Sequence, residues 1–169
     1  MRKYTMDGAM SVAEQAAFDI ENFLNSNPAT ISVKNVESEV EYQERDIDLI
    51  WTFKKGGQKK TVTIEIKGDR YHRTGNYFFE TVSNDQKNTP GCFMYTEADY
   101  VFYYFIEQRE LHILPMPATR KWFINHINDF AERATSTEIN GRFAYRTIGR
   151  LVNRQRIKKE INNIRIINI

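Results

Sequence analysis

Cysteine is nearly missing from this chain. Cys92 is the only one, so no disulfide can close within the molecule and no cysteine-based zinc site can be built. Histidine is almost as scarce: His72, His112 and His126 are scattered, which argues against a histidine-rich metal centre. No apolar run approaches the roughly 20 residues that span a bilayer. The opening MRKYTMDGAMS lacks the apolar core of a secretory leader. These absences predict a cytoplasmic protein with no membrane partner. A strong overall charge is lacking too, with a net of only +2. Repeats, low-complexity tracts and linkers are also absent. The 169 residues therefore read as one domain, with a core over about 11–135 and a basic C-terminal extension over about 136–169.

What is present is mostly strand-like, with a helix near each end. Ser11 to Leu24 reads as a helix: Ser11 and Glu14 form the S-x-x-E capping pattern, and Val12, Ala16, Ile20, Phe23 and Leu24 make an apolar stripe. Extended segments are expected at 31–36, 44–54 and 60–67, the last two joined by Gly56-Gly57 as a hairpin turn. A glycine-containing loop at 68–76 leads to strands at 77–82 and 100–106, and 111–114 pairs with the latter. A second helix is expected over 118–134, then a strand over 143–152 and a short basic helix over 153–161. That order predicts an α/β fold with a central mixed β-sheet flanked by helices.

The segment TVTIEIKGD (residues 61–69) carries the chemistry. A two-residue turn at Gly56-Gly57 sets Asp48 opposite Glu65 and Asp46 opposite Lys67. Strand alternation sends these four side chains to one face and Ile47, Leu49, Trp51, Phe53, Val62, Ile64 and Ile66 to the other. Opposed residues have Cβ atoms roughly 5 Å apart, where two carboxylates repel. A divalent cation relieves that repulsion, because each carboxylate reaches Mg²⁺ at about 2.1 Å. Asp48 and Glu65 are thus candidate metal ligands, with the Ile66 carbonyl as a third oxygen. Lys67 stands beside the ion, placed to orient a water or to face developing phosphate charge. Asp46 either pairs with Lys67, binds metal through water, or forms an ordinary surface ion pair. Glu80, in YFFETV, reaches the site if its strand runs beside that of Glu65, and is otherwise solvated.

RDIDLIW and EIK, with sixteen residues between Asp48 of the first and Glu65 of the second, resemble the PD-(D/E)XK nuclease superfamily, which includes restriction endonucleases and Holliday-junction resolvases. RTGNYFFETVSN followed by GCFMYTEADYVFYY is similar to small nucleases of this type in bacteria and phages. The resemblance spans roughly residues 11–135 and implies a restriction-endonuclease-like core. It makes Asp48 and Glu65 the metal ligands and Lys67 the catalytic lysine. It adds Glu14, with Glu21 behind it, as an acid on the first helix that serves as an extra ligand or positions water. Ile47 stands where many members have proline, and Gly68-Asp69-Arg70 follows the lysine where resolvases carry a small hydroxyl residue.

The partner is expected to be DNA. Between Arg142 and Arg165 lie Arg142, Arg146, Arg150, Arg154, Arg156, Lys158, Lys159 and Arg165, against the single acid Glu160. Such a run suits a polyanion backbone. Arg70 and Arg73, with His72 between them, follow the lysine and suit phosphate contacts. Tyr77, Phe78 and Phe79 read as core before they read as base-stacking residues. The resulting expectation is a Mg²⁺-dependent deoxyribonuclease, with Mn²⁺ able to substitute. It is resolvase-like in selecting DNA structure, or directed by a partner, and dimerisation would provide two sites for two strands. The alternative is a non-catalytic nucleic-acid-binding module that retains the nuclease fold.

Overall fold

The structure, a computed structural model, describes residues 11–139 and 142–169. Helix α1 (Val12–Ser26) starts at Ser11, whose Oγ accepts from the Glu14 N–H at 3.2 Å while Glu14 Oε2 accepts from the Ser11 N–H at 2.9 Å. This reciprocal cap satisfies two of the N–H groups that a helix start leaves open. Strand β1 (Thr30–Asn35), a short helix α2 (Val40–Glu44), β2 (Leu49–Lys55) and β3 (Gln58–Asp69) follow. Gly56 and Gly57, with φ of 58° and 77°, make the tight turn between β2 and β3, a conformation that glycine adopts without steric cost.

The middle of the chain gives β4 (Asn76–Asn84), β5 (Thr89–Pro90), α3 (Cys92–Tyr95), β6 (Tyr100–Phe105) and β7 (Glu110–Pro115). The remainder gives α4 (Ala118–His126), β8 (Glu132–Ile139), β9 (Arg142–Asn153), α5 (Arg154–Glu160) and β10 (Arg165–Asn168). Two sheets form. The first is six-stranded in the order β1-β2-β3-β6-β7-β10, and the second four-stranded in the order β5-β4-β9-β8. The first is mixed, because β3 and β6 run parallel while its other pairs are antiparallel. The molecule is thus α/β with a mixed central sheet and several helices.

Layering follows from which side chains each strand buries. One face of the six-stranded sheet takes α1: Ala16, Ile20 and Leu24 pack on Leu49, Ile64, Phe102, Tyr104 and Leu111. The other face presents Val101, Tyr103, Phe105 and Leu114 to Tyr77, Phe79 and Val152 of the second sheet, with Phe123 of α4 and Ile157 of α5. Strand β6 is covered on both sides, which is why YVFYYF is an unbroken apolar run rather than an alternation. Phe79 stacks on Phe93 with centroids 3.8 Å apart, and fully burying such a ring contributes roughly 1.5–3 kcal/mol.

Three expectations are corrected here. The strand foreseen from residue 44 begins at Leu49; Val40–Glu44 is helical and Asp46 has a φ of 55°, so the chain enters the sheet late. The helix foreseen over 118–134 stops at His126. After a 3-10 turn at Ile127–Asp129, residues 132–139 pair with β9 instead. Thr135 and Thr137 are β-branched and lose less in a strand than in a helix, and the long β9 offers them a ladder. Finally, residues 142–169 are no appendage: β9 and α5 contribute Val152 and Ile157 to the core, and β10 pairs with β7. Among the described residues, no helix is long and apolar enough to cross a membrane.

Candidate active site

The late entry of the chain into β2 builds the site. The β2–β3 ladder runs in register from Lys55↔Gln58 to Leu49↔Ile64, the pairing expected of the two-residue turn. Continued by one residue, it sets Asp48 across from Glu65. The Asp48 N–H donates to the Ile64 carbonyl at 2.9 Å. Then its side chain takes the place of the main chain, as Asp48 Oδ2 accepts from the Ile66 N–H at 2.8 Å. The two carboxyls are close enough for the Asp48 charge to raise the Glu65 carboxyl.

Asp46 is brought in by its left-handed backbone rather than by strand pairing, so the cross-strand Asp46–Lys67 pair foreseen in the sequence does not form. Thr96 Oγ1 donates to the Asp46 carbonyl at 2.7 Å, and the Tyr95 hydroxyl donates to Asp46 Oδ1 at 3.3 Å. Asp46 Oδ2 is buried and accepts no hydrogen bond from any described residue. A buried carboxylate oxygen without a donor is costly, typically about 1–3 kcal/mol.

Lys67 projects from β3 two residues beyond Glu65. Its Nζ lies 3.5 Å from Glu65 Oε1 and 3.6 Å from Glu80 Oε2. Glu80 therefore reaches the site as foreseen, but not from a neighbouring strand; it comes from the second sheet. Gly91 fixes that approach, since a Cβ there would fall 2.3 Å from the Glu80 carbonyl. Only glycine lets the start of α3 lie so close to β4. The next residue, Cys92, is buried, and its sulfur joins oxygens of Asp46 and Glu65 in a group whose atoms all lie within 4.8 Å of one another. The sequence reading passed over Cys92. Its place depends on a contact between α3 and β4 that no local pattern encodes, although the preceding Pro90-Gly91 marked a tight approach.

Electrostatics set this cluster apart. Burial, then the neighbouring Asp48 charge, pushes the Glu65 carboxyl well above the usual range. Burial also raises Asp48, against the pull of the Ile66 N–H, and raises Asp46, against the pull of Lys67. The Cys92 thiol is pushed well up by burial, so it is a neutral group at ordinary pH. For Lys67, burial acts downward, but the neighbouring acids Glu80, Glu65 and Asp46 outweigh it and hold the ammonium well above the usual lysine range. Three acids made reluctant to ionise, around a lysine that keeps its charge, form a site in want of further positive charge.

Other foreseen residues fall elsewhere. Glu14 is engaged in the Ser11 cap, and its helix packs on the face of β3 opposite Glu65 and Lys67. Glu21 accepts from Asn35 Nδ2 at 2.8 Å. What Ile66 brings to Asp48 is its N–H. Arg70 and Arg73 are exposed after β3. The basic run is largely neutralised from a distance. Arg146 pairs with Asp85 at 2.8 Å, Arg150 with Glu132 at 3.0 Å, and Arg156 with Asp129 and Glu160 at 2.8 and 3.0 Å. Arg154 donates to the His72 carbonyl at 2.6 Å and covers the Phe105 ring. Lys158, Lys159, Arg142 and Arg165 are exposed. Tyr77 and Phe79 are core residues.

Comparison with known proteins finds no matching family model, no matching curated protein and no matching solved structure. The functional reading therefore rests on the geometry of this cluster.

Proposed function

We propose that the chain is a metal-dependent DNA endonuclease with a restriction-endonuclease-like core, its centre formed by Asp46, Asp48, Glu65 and Lys67. One observation carries the reading: the donorless, buried Asp46 Oδ2 beside a Glu65 that is raised by burial and by Asp48. Strand pairing and the bend at Asp46 bring three acids together, at a cost that Lys67 and Tyr95 offset only in part. Carboxylate oxygens are the ligands of hard divalent ions, so the donor set fits Mg²⁺, and Mn²⁺ in its place. Asp46, Asp48 and Glu65 would hold the ion, and the neutral Cys92 thiol stands by as a poor ligand for it. When bound, such a cation supplies Lewis-acid activation of water and screening of phosphate charge.

The protein's own groups have separable roles. Asp48 keeps the end of the β2–β3 ladder closed while turning a carboxyl toward Glu65. Lys67 stays protonated, so it acts as a fixed positive charge for a phosphate oxygen and not as a base. Glu80 holds the ammonium from the second sheet. The partner on this reading is DNA, and a homodimer would set two centres on two strands. The exposed Arg70, Arg73, Lys158 and Lys159 are left for phosphates, while the paired arginines brace the fold.

The test is a cleavage panel of linear, nicked, flapped and four-way DNA with Mg²⁺, Mn²⁺ or EDTA. The wild-type protein is expected to cut at least one substrate only with metal. Lys67→Ala and Asp48→Asn are expected to lose about 10²–10³ in rate, the scale for removing one electrostatic contact to a transition state. Equal cutting by Lys67→Ala, or DNA binding with no cutting by the wild type, would leave the non-catalytic alternative.

A further inference from the structure

Lys67 and Glu80 have a second neighbour that the proposed chemistry does not use. They line a cavity of about 470 Å³ between the end of β3, the start of β4 and the β8–β9 hairpin. Pockets for small organic ligands span roughly 300–1,000 Å³. One nucleoside fits such a space; a stacked duplex does not. Phe78 and Leu151 give the cavity an apolar wall, and Thr135 and Thr147 give it hydroxyl groups. Tyr71, also in the lining, is 73% exposed and presents a large flat side chain to solvent. Arg133 also lines the cavity and is exposed, its Nη1 donating to the adjacent Glu132 carbonyl at 2.9 Å.

Lys67 and Arg133 bring positive charge to the lining, beside the acids Asp69 and Glu80, and Tyr71, Tyr77, Phe78 and Leu151 bring aromatic and apolar surface. Cations for phosphates together with a flat apolar wall suit a nucleotide. We infer that this cavity receives a single unstacked nucleotide of a DNA strand whose scissile phosphate lies at Lys67, so that the preferred substrate carries a single-stranded segment or a base drawn out of the duplex. This rests on the endonuclease reading for its register, though not for the existence of the pocket. The base would lie against Phe78 and Tyr71, which tolerates any base because each has a π-face. The strand would enter past the exposed loop at 70–73, where Arg70 and Arg73 stand. The β8–β9 hairpin then forms a wall of the substrate channel.

Two variants test this, each at an exposed position so that folding can be verified by unchanged melting: Thr135→Trp, which fills the cavity, and Tyr71→Ala, which removes the exposed ring. The probes are a flapped duplex and a fully paired duplex of equal length. Each carries 2-aminopurine at the nucleotide next to the cleavage position, and binding is measured in Ca²⁺ and cleavage in Mg²⁺. The wild type is expected to bind and cut the flapped DNA about 10-fold better than the paired DNA, with a fluorescence change showing the base stacked on an aromatic ring. Both variants are expected to reduce that ratio several-fold and abolish the fluorescence change. A ratio near one in the wild type, or a ratio untouched by Thr135→Trp, would overturn the inference even if both DNAs are cut. Flap-selective binding with the fluorescence change but no cutting in Mg²⁺ or Mn²⁺ would retain the pocket and sink the endonuclease reading.

Discussion

The polar clusters around Glu110 and around Glu65 are built on opposite terms. Around Glu110, every strong group is answered. The Tyr77 hydroxyl and His112 Nδ1 are 2.6 Å apart, His112 Nε2 and Glu110 Oε1 are 2.6 Å apart, and His72 Nε2 lies 3.1 Å from the same oxygen. Arg154 Nη1 adds a charge at 3.8 Å. Around Glu65, by contrast, Asp46, Asp48 and Glu80 crowd a single lysine, and one oxygen has no donor. Both clusters join distant parts of the chain. Only the second leaves charge uncompensated. A satisfied network fixes a fold, whereas acids crowded at a cost around one lysine mark a candidate binding site; among the described residues, Arg150 Nε is the other buried side-chain atom without a hydrogen bond.

The contrast can be broken from the Glu65 side first. Lys67→Ala should remove about 10²–10³ of cleavage rate. Next comes the Glu110 side, where Tyr77→Phe leaves His112 Nδ1 buried without its partner and should cost about 1–3 kcal/mol by urea unfolding, with metal-dependent cleavage retained. Asp46→Asn should do the reverse, raising the unfolding free energy of the metal-free protein by roughly 0.5–2 kcal/mol while weakening Mg²⁺ binding, measured by calorimetry and titration. A loss of stability in that variant would count against a site strained in waiting for an ion.

The pH dependence sharpens the comparison further. Burial pushes the Glu110 carboxyl up, but hydrogen bonds from His112 and His72 outweigh it and leave it below the usual range. His112 is lowered by burial more than Glu110 raises it. Both groups thus bind fewer protons folded than unfolded, so their contribution is present at neutral pH and is lost as pH falls. The decline should begin below the ordinary histidine value of 6.5 and deepen below the ordinary glutamate value of 4.5. His112→Gln should flatten the first part in urea titrations at stepped pH; an unchanged slope would place the dependence elsewhere. The smallest effect is expected from Arg146→Ala, which removes an exposed pair with Asp85 and should cost under about 1 kcal/mol.

How much of this could be read beforehand varied with distance along the chain. The β2–β3 register, and with it Asp48 facing Glu65, was legible because Gly56-Gly57 and strict alternation are local signals. The α1 cap was legible for the same reason. The second sheet was not. Residues 132–139 become a strand only because β9 lies beside them, and Glu80 and Cys92 reach the site only because Gly91 lets α3 rest on β4. The basic run misled for a related cause. Counting charges within Arg142–Arg165 could not find Asp85, Glu132 or Asp129, which arrive from earlier segments to pair with Arg146, Arg150 and Arg156.

Asp46 has a consequence for anyone probing this protein by substitution. Its φ of 55° is a posture that asparagine and glycine share comfortably and alanine does not. Swapping in alanine would therefore alter the bend of the polypeptide and delete an acid in one stroke, and the two losses would be indistinguishable in any assay. Asparagine preserves the contour while erasing the charge, and glycine relaxes the contour while erasing the side chain. Used together, they let the shape of the chain and the chemistry of its carboxylate be weighed apart.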